Sequence, residues 1–429
     1  MTMFKENILN KKLNKKNVEE LKKLSDPKGN LILGENVRLS LSSLNKKNVL
    51  VLGPSGAGKT QFYTKKNISA EEDNNIIVFD AYEDIYNSTH EEAERKGYEV
   101  LRFSTQKSDN GAQSLKFNPL EYCTDDESIH ELVKNIMYHT KGSESWGDPF
   151  WYDSCRMFLI VIVYYLFAKK PGAGMDEILK CIKEFSEEGS RKRYELFYEE
   201  CKAEDKYKSY VSAYDTINMI SKKSFSACLA DLYVRLTFMD LKEFKDLVSE
   251  DEMKLNERFN KKTILYIGYN VIDKTMELLP MILLDRCIRM IMDRGKDQKR
   301  HTRIILDSYL DFGIFPDFKR YLCETSFYYP ISFELTADSI DRMNISVYGK
   351  DKCDAGFIYN CIGAMVVMGV LTEKTAWFIR DKWNKVNAKC SIKDTDIYDM
   401  NYEHEIIFLD CGLNTKSVVD VKCGLKERG

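Results

Sequence analysis

The fold is decided by residues 48–60, which read NVLVLGPSGAGKT. The first five form a short apolar run that ends at a glycine turn, which is typical of a buried central strand. The next eight match GxxxxGK followed by Ser or Thr in full, and residues 61–66 can continue as a helix. Glycines let such a loop curl until its backbone N–H groups point inward, and the helix start adds partial positive charge. The stretch therefore predicts a strand, a phosphate-binding loop and a helix.

The chemistry of this loop predicts ATP and Mg²⁺ as the bound cofactors. Lys59 is expected to reach the β and γ phosphates, and the Thr60 hydroxyl is expected to ligate the metal. A glycine-rich turn that binds no ligand is the plainer alternative, and the matching strand and helix argue against it. The predicted nucleotide-binding residues are Gly53, Pro54, Ser55, Gly56, Ala57, Gly58, Lys59, Thr60 and Gln61.

A second requirement of such a site is an acidic residue at a strand end. Residues 303–307 read RIILD, an apolar strand that delivers Asp307 at its C-terminal end, where open α/β sheets place ligands. We therefore predict Asp307 as a metal ligand with Thr60, against the alternative of a solvated strand-end acid. Ser308 follows, and a hydroxyl cannot act as a base in the manner of a carboxylate. Asp80 is a second strand-end candidate.

Composition limits the protein class. The 429 residues are 44% hydrophobic and 31% charged, which excludes global disorder and predicts two or three domains. A net charge of −3 excludes a globally basic nucleic-acid coat. The 12 cysteines and 5 histidines lack zinc-finger spacing, so we expect reduced thiols in a cytosolic protein. The longest apolar run, Met157–Phe167, is shorter than the roughly 20 residues of a membrane span, so we expect no transmembrane segment.

The pattern of apolar residues along the chain predicts an α/β fold that is interrupted by a block of helices. Strand-like runs alternate with helical ones before residue 148, as in a parallel sheet, and they return at residue 263. Between them the apolar residues recur at helical spacing with few glycines or prolines. The predicted domains are a lead-in (1–27), the first part of a nucleotide-binding domain (28–147), an all-alpha domain (148–257) and the second part of the nucleotide-binding domain (258–429).

Further segments follow in a characteristic order. They are ILGENVR (32–38), KGYEV (96–100), FNPL (117–120), DPFW (148–151), LDSY (306–309), GIFPDF (313–318) and NC (360–361). With the phosphate loop, this ordered set resembles the type IV coupling proteins, the TraG-like conjugative DNA-transfer ATPases of bacteria. The resemblance runs from about Ile32 to Val386.

The resemblance implies a RecA-like motor domain that is interrupted by an all-alpha domain. It implies hexameric or mixed rings with ATP at the subunit interface. Such motors recruit a relaxase–DNA complex, or relaxosome, to the components of a type IV secretion channel and help to transfer single-stranded DNA. The expected location is cytoplasmic or peripheral to the inner face of the cell membrane. Many members carry an N-terminal membrane anchor that we do not recognise here, so we expect a soluble member, an anchor on another chain, or an anchor that has been removed.

The departures from the family pattern concern catalysis. Ser308 stands where the family has a catalytic Glu, and Glu334 stands where it has a sensor Gln. A carboxylate facing the γ-phosphate would repel it, whereas an amide can donate to it. The sequence DAYE (80–83) replaces the family's DPKG. We expect nucleotide binding without efficient hydrolysis, with Asp307, Ser308 and Glu334 as the catalytic-side residues.

Three functions stay open at this point. The first is a coupling-protein ATPase subunit of a conjugative system. The second is a nucleotide-binding adaptor that recruits substrates without turnover. The third is an unrelated RecA-like motor such as a chromosome translocase, against which the DPFW-led helical block argues. Arg342 and Arg380 are candidates for an arginine finger, although a solvated helix residue is the commoner role of each.

Overall fold

The computed structural model describes residues 25–106, 113–140, 149–271, 274–312, 316–345, 355–386, 391–398, 404–410 and 415–421. These fall into two compact units. The first takes the chain up to residue 101 together with 256–271 and the chain from 290 onward, and the second takes 102–255 and 272–289. Most of the predicted lead-in, Asp148 and residues 313–315 lie outside the described residues. The domain boundaries predicted after residues 27, 147 and 257 stay predictions.

A nine-stranded sheet runs in the order β11-β10-β9-β3-β8-β7-β4-β6-β5, beside a separate pair β1–β2. The strands are β1 Leu31–Ile32, β2 Arg38–Leu39, β3 Asn48–Leu52, β4 Asn75–Asp80, β5 Glu99–Ser104, β6 Thr263–Gly268, β7 Thr302–Leu306, β8 Ile331–Ala337, β9 Ile362–Val367, β10 His404–Asp410 and β11 Thr415–Val421. Pairing is parallel from β9 through β3, β8, β7 and β4 to β6. Only β10 and β11 are shown to run antiparallel to their neighbours in the described sheet. The predicted α/β fold with a mostly parallel sheet is confirmed.

The register of the central strands brings their ends to one edge. Leu52 lies opposite Ala337 on one side and Val367 on the other, and Leu306 lies opposite both Leu335 and Phe79. These strands are buried along their whole length, which explains their continuous apolar runs. The residues that follow β3, β4, β7 and β8 therefore emerge side by side, at the edge where α/β sheets bind ligands.

Helices make up most of the remaining described structure. In the chain up to residue 101 and from 256 onward they are Lys65–Ala70, Asp84–Arg95, Leu278–Arg294, Tyr309–Phe312, Phe318–Arg320, Ser326–Tyr328, Ile340–Ile345, Ala355–Cys361, Glu373–Val386 and Asp394–Tyr398. In residues 102–258 they are Asp126–His139, Pro149–Lys169, Glu177–Ser186, Glu188–Cys201, Lys208–Asn218, Lys222–Leu236, Lys242–Val248 and Leu255–Arg258.

The helix Pro149–Lys169 contains the apolar run that the sequence marks out. Phe158, Leu159 and Ile162 on it are fully buried, as their helical spacing predicts. Among the described residues it is the one helix long and apolar enough to cross a membrane, and 61% of its most apolar window is buried inside the protein. Burial of that extent is also what a core helix of a globular unit shows.

Two cysteines differ from the expectation of reduced thiols. Cys323 and Cys361 are joined in a disulfide, with their Cα atoms 5.3 Å apart. A sequence separation of 38 residues gives no sign of this pairing. The free cysteines of the described residues are all buried, as expected for small core side chains: Cys123, Cys155, Cys181, Cys201, Cys228 and Cys287.

A buried ionic cluster lies within the first unit. The Arg303 guanidinium on β7 donates to Glu334 on β8 through Nε at 2.6 Å, and to Glu71 at 2.8 Å. It also donates to Asn67 Oδ1 at 3.0 Å, and the Tyr63 hydroxyl donates to Glu334 at 2.7 Å. The cluster joins two central strands to the segment that begins after the phosphate loop.

The charges in this cluster stabilise one another because all of them are shielded from water. Arg303 is 1% exposed, and Glu71 and Glu334 are 0% exposed. Burial alone would raise the pKa of Glu71, but the charge and hydrogen bonds of Arg303 outweigh it and lower that pKa to about 2. Burial alone would lower the pKa of Arg303, but the charge and hydrogen bond of Glu334 outweigh burial and raise that pKa. Arg303 and Glu71 are thus both charged at neutral pH.

The substitution Arg303→Met tests this arrangement. It leaves two buried carboxylates without a counter-charge, so we expect the free energy of unfolding to fall by about 3–5 kcal/mol in urea denaturation at pH 7. The control is Arg380→Met, which breaks ion pairs with Asp381 and Asp394 at the surface. That variant should change the free energy of unfolding little, because the ion pairs it removes are exposed to solvent. Equal losses in the two variants would contradict the importance of burial.

Candidate functional site

The phosphate loop has the curled backbone that its sequence predicts. It leaves β3 at Gly53, and Gly56 and Gly58 adopt left-handed conformations with φ of 82° and 85°. At Gly58 a Cβ atom would lie 2.3 Å from the ring of Phe62, so no side chain fits there without displacing that ring. Glycine is therefore required at position 58 by both conformation and space.

A helix starts directly after the loop. Residues Lys59–Thr64 form a π-helical turn that continues as Lys65–Ala70, and the Phe62 N–H donates to the Gly58 carbonyl at 2.7 Å. The first N–H groups of a helix have no acceptor within it and carry partial positive charge. Ser55, Gly56 and Gln61 of the predicted binding set are exposed to solvent. The backbone here fits a phosphate group.

Lys59 is turned back over the loop. Its ammonium donates to the Gly53 carbonyl at 2.6 Å and to the Pro54 carbonyl at 3.2 Å. It also pairs with Asp338 Oδ1 at 3.2 Å. The side chain is 8% exposed, so the charge is held against the loop by these acceptors. To contact a phosphate, Lys59 has to exchange some of them for the ligand.

Asp307, the predicted metal ligand, lies beside the loop. It follows β7, and its carboxylate accepts from the Thr60 hydroxyl at 2.6 Å and from the Thr336 hydroxyl at 2.8 Å. The Thr64 hydroxyl is 3.3 Å away. A carboxylate next to a hydroxyl is an oxygen donor set that suits Mg²⁺. Thr60 and Asp307 are therefore the residues that would hold this ion.

Ser308 adopts a strained backbone conformation at the strand end. Its φ of 56° lies in the left-handed region, which is uncommon for a residue other than glycine, asparagine or aspartate. Its backbone N–H donates to the Thr336 hydroxyl at 2.6 Å. Thr336 thus bridges Asp307 and Ser308 and fixes the turn that follows β7.

Asp80 ends β4, the strand next to β7. Its carboxylate accepts from the Tyr86 N–H at 2.7 Å, and the residue is 3% exposed. Burial raises the pKa of Asp80 to about 7, and the negative charges of Asp307 and Asp84 add to this effect. Because burial and these charges outweigh the backbone hydrogen bonds that it accepts, this carboxyl is half protonated near neutral pH.

Glu334 does not join Lys59 and Thr60. It lies in the middle of β8, and Arg303 and Tyr63 hold its carboxylate in the buried cluster described above. The residue of β8 that contacts the Asp307 site is Thr336, two positions further along the same face of the strand. These contacts correct the expectation of a carboxylate that faces the γ-phosphate, and they give Glu334 an ionic partner instead.

Three residues of this site are not foreseen from the sequence. Thr64 and Thr336 contact Asp307, and Asp338 contacts Lys59. The available signal is positional, because Asp338 lies at the C-terminal end of an apolar strand, as Asp80 and Asp307 do. The two arginine-finger candidates form ion pairs within the chain: Arg342 pairs with Asp338 and Asp311, and Arg380 with Asp381 and Asp394.

Comparison with known proteins identifies the family. A model of the type IV secretory system conjugative DNA transfer family matches residues 2–383. The chain belongs to this family. A search of curated protein sequences gave no match. The family assignment therefore rests on most of the length of the chain.

Solved structures similar to this member of the family share its fold. The unbound bacterial conjugative coupling protein TrwB matches with a TM-score of 0.66 at 12% identity, over 94% of this chain and 90% of that one. TrwB with an ATP analogue matches at 0.67 and 11%, over 93% and 91%. VirB4 of Thermoanaerobacter pseudethanolicus matches at 0.57 and 13%, over 95% and 100%. The predicted P-loop NTPase fold of the coupling proteins is confirmed.

The raised pKa of Asp80 generates a prediction about stability and pH. The folded protein keeps this proton up to about pH 7, whereas an unfolded chain releases it near pH 4. The folded state is therefore destabilised by Asp80 as pH rises from 4 to 7. Asp80→Asn removes the charge, so it should raise the free energy of unfolding little at pH 4 and by at most about 4 kcal/mol at pH 8.

Urea denaturation without nucleotide or divalent metal measures this difference. Asp205→Asn is the control, because that carboxylate is 92% exposed and is not among the charges that act on Asp80, so its removal should change stability little at either pH. A gain from Asp80→Asn that is the same at pH 4 and pH 8 would show that Asp80 does not titrate as described.

Proposed function

We propose that this chain is a coupling-protein ATPase subunit that binds ATP with Mg²⁺ on residues Gly53–Thr60. The observation that carries the proposal is the 2.6 Å hydrogen bond between Thr60 on the loop and Asp307 at the end of β7. A hydroxyl of the loop and a strand-end carboxylate form the two halves of a magnesium site in P-loop NTPases. Their contact means that the oxygen donors are in place before the ligand arrives.

Related proteins support this choice of ligand. TrwB has been solved with a non-hydrolysable ATP analogue, with a GTP analogue, and with ADP and Mg²⁺. The triphosphate in our proposal lies against the helix start at Lys59, which supplies N–H groups and partial positive charge. Mg²⁺, once bound, would neutralise phosphate charge during hydrolysis.

The proposed partners follow from the family. We propose that the protein recruits a relaxase or relaxosome with its single-stranded DNA, or a protein substrate, to the components of a type IV secretion channel. It would do so as a homo-oligomer, a hexamer or a mixed ring, in the cytoplasm or at the inner face of the membrane. A ring would also bring residues of a neighbouring subunit to the nucleotide.

A second candidate function is favoured by Ser308. The residue after Asp307 has no carboxylate, so the usual water-activating group is absent from that position. In this alternative the protein binds nucleotide as a structural or regulatory ligand and acts as an adaptor that recruits substrates without turnover. The two functions share the binding site and differ in hydrolysis.

Binding is tested with Lys59→Ala. The lysine supplies the positive charge closest to the loop, so its removal should abolish ATP binding in calorimetry with Mg²⁺. Lys374→Ala is the control, because that lysine is largely exposed on another helix and should leave binding unchanged. If Lys59→Ala binds ATP as tightly as wild type, the proposed site is wrong.

Turnover distinguishes the two candidate functions. The coupling ATPase is expected to release phosphate over many turnovers, and more rapidly when single-stranded DNA is present. The measurement is steady-state phosphate release with and without DNA, and Lys59→Ala gives the background rate. Tight ATP binding together with a rate at that background would favour the adaptor.

A further inference from the structure

Asp338 is a carboxylate at the phosphate loop that has no place in the site as predicted. It follows directly after β8, at the sheet edge where β3 and β7 also end. Its Oδ1 atom lies 3.2 Å from the Lys59 ammonium, and 31% of its side chain is exposed. Asp338 therefore combines contact with the phosphate-binding lysine and access to water.

Three other acidic side chains near this edge of the sheet already have partners of their own. Asp307 accepts from Thr60 and Thr336 and belongs to the proposed metal site. Asp80 is almost fully buried and accepts from a backbone N–H. Glu334 is held by Arg303 within the sheet. Of these four acids, Asp338 has the exposure that a group acting on a water molecule requires.

The two oxygens of Asp338 have different partners. Oδ2 accepts from Arg342, one turn further along the chain, and the same guanidinium donates to Asp311 at 2.8 Å. Oδ1 faces Lys59. Arg342 thus fixes the carboxylate from one side, because a guanidinium is charged at neutral pH whether or not Asp311 pairs with it. When Lys59 turns to a phosphate, Oδ1 is released beside that phosphate while Oδ2 stays anchored.

We propose that Asp338 is the catalytic carboxylate that activates water for ATP hydrolysis, in the role that Ser308 cannot fill. The inference rests on the proposed function, because it requires ATP at the loop. In the step, a water proton passes to Oδ1 while the water oxygen bonds to the γ-phosphorus. The bond from that phosphorus to the β–γ bridging oxygen breaks, which releases ADP and inorganic phosphate. The proton then leaves Asp338 for solvent.

The experiment compares Asp338→Asn with wild type in three measurements. These are steady-state phosphate release, the affinity for a non-hydrolysable ATP analogue with Mg²⁺, and the melting temperature without nucleotide. Loss of a general base costs about 10²–10⁴-fold in rate. We expect a loss of kcat in that range, analogue affinity equal to or tighter than wild type because a charge that competes for Lys59 is gone, and an unchanged melting temperature.

Asp311→Asn is the matched control. It removes the other carboxylate partner of Arg342 without removing a partner of Lys59, so it should keep most of the turnover. Asp338→Glu is the conservative variant and should retain more turnover than Asp338→Asn, because it keeps a carboxylate. It also keeps the proposal testable if Asp338→Asn folds poorly.

Four results would contradict the catalytic role of Asp338 or the function on which it rests. Unchanged turnover in Asp338→Asn overturns the proposal, and so does a loss of analogue affinity in proportion to the loss of turnover, which would mean that Asp338 only positions Lys59. A wild-type protein that binds ATP without hydrolysing it also overturns this inference but leaves the nucleotide-binding adaptor standing. A wild-type protein that does not bind ATP refutes the proposed function itself.

Discussion

The structure depends on the ionic cluster around Arg303. An isolated charge in a protein interior costs several kcal/mol, and this guanidinium lies among fully buried side chains. Arg303 donates to Glu334 on β8 and to Glu71 and Asn67 in the segment after the loop, and Tyr63 of that segment donates to Glu334. None of these segments can shift without leaving a charge uncompensated. The cluster therefore fixes β7, β8 and the helix after the loop in one register.

The register of these strands also assembles the proposed nucleotide site. Asp307 lies four residues after Arg303, just past the end of β7, and Asp338 lies four residues after Glu334, just past the end of β8. A displacement of either strand by one residue would turn the strand-end side chains to the opposite face. Tyr63 belongs to the turn that also carries Lys59 and Thr60. The cluster thus fixes the positions of the loop and of the ends of β7 and β8.

The parts of the site that depend on local pattern are predictable from the sequence. A phosphate loop is contiguous, and Asp307 follows a clearly apolar strand, so the residues alone locate both. Glu334 cannot be placed this way, because its role depends on Arg303, which lies 31 positions away in sequence. The clue is that Arg303 and Glu334 each interrupt a strand that is otherwise largely apolar. The β10–β11 hairpin is not predicted either, because residues 411–414 between its strands read CGLN and lack the two-residue turn pairs that mark a hairpin.

The partial exposure of Asp338 explains how its ion pair with Lys59 is compatible with nucleotide binding. Solvent reaches the Asp338 side of the pair, although Lys59 is largely buried. In the proposed site a triphosphate would bring several negative charges to Lys59 at a helix start and would outcompete a single carboxylate. Asp338 does not leave the site when this happens, since Arg342 retains its other oxygen. Asp338 can thus give up its contact with Lys59 while Arg342 keeps it in the site. This is how the resting partner of the lysine can become a reactive carboxylate.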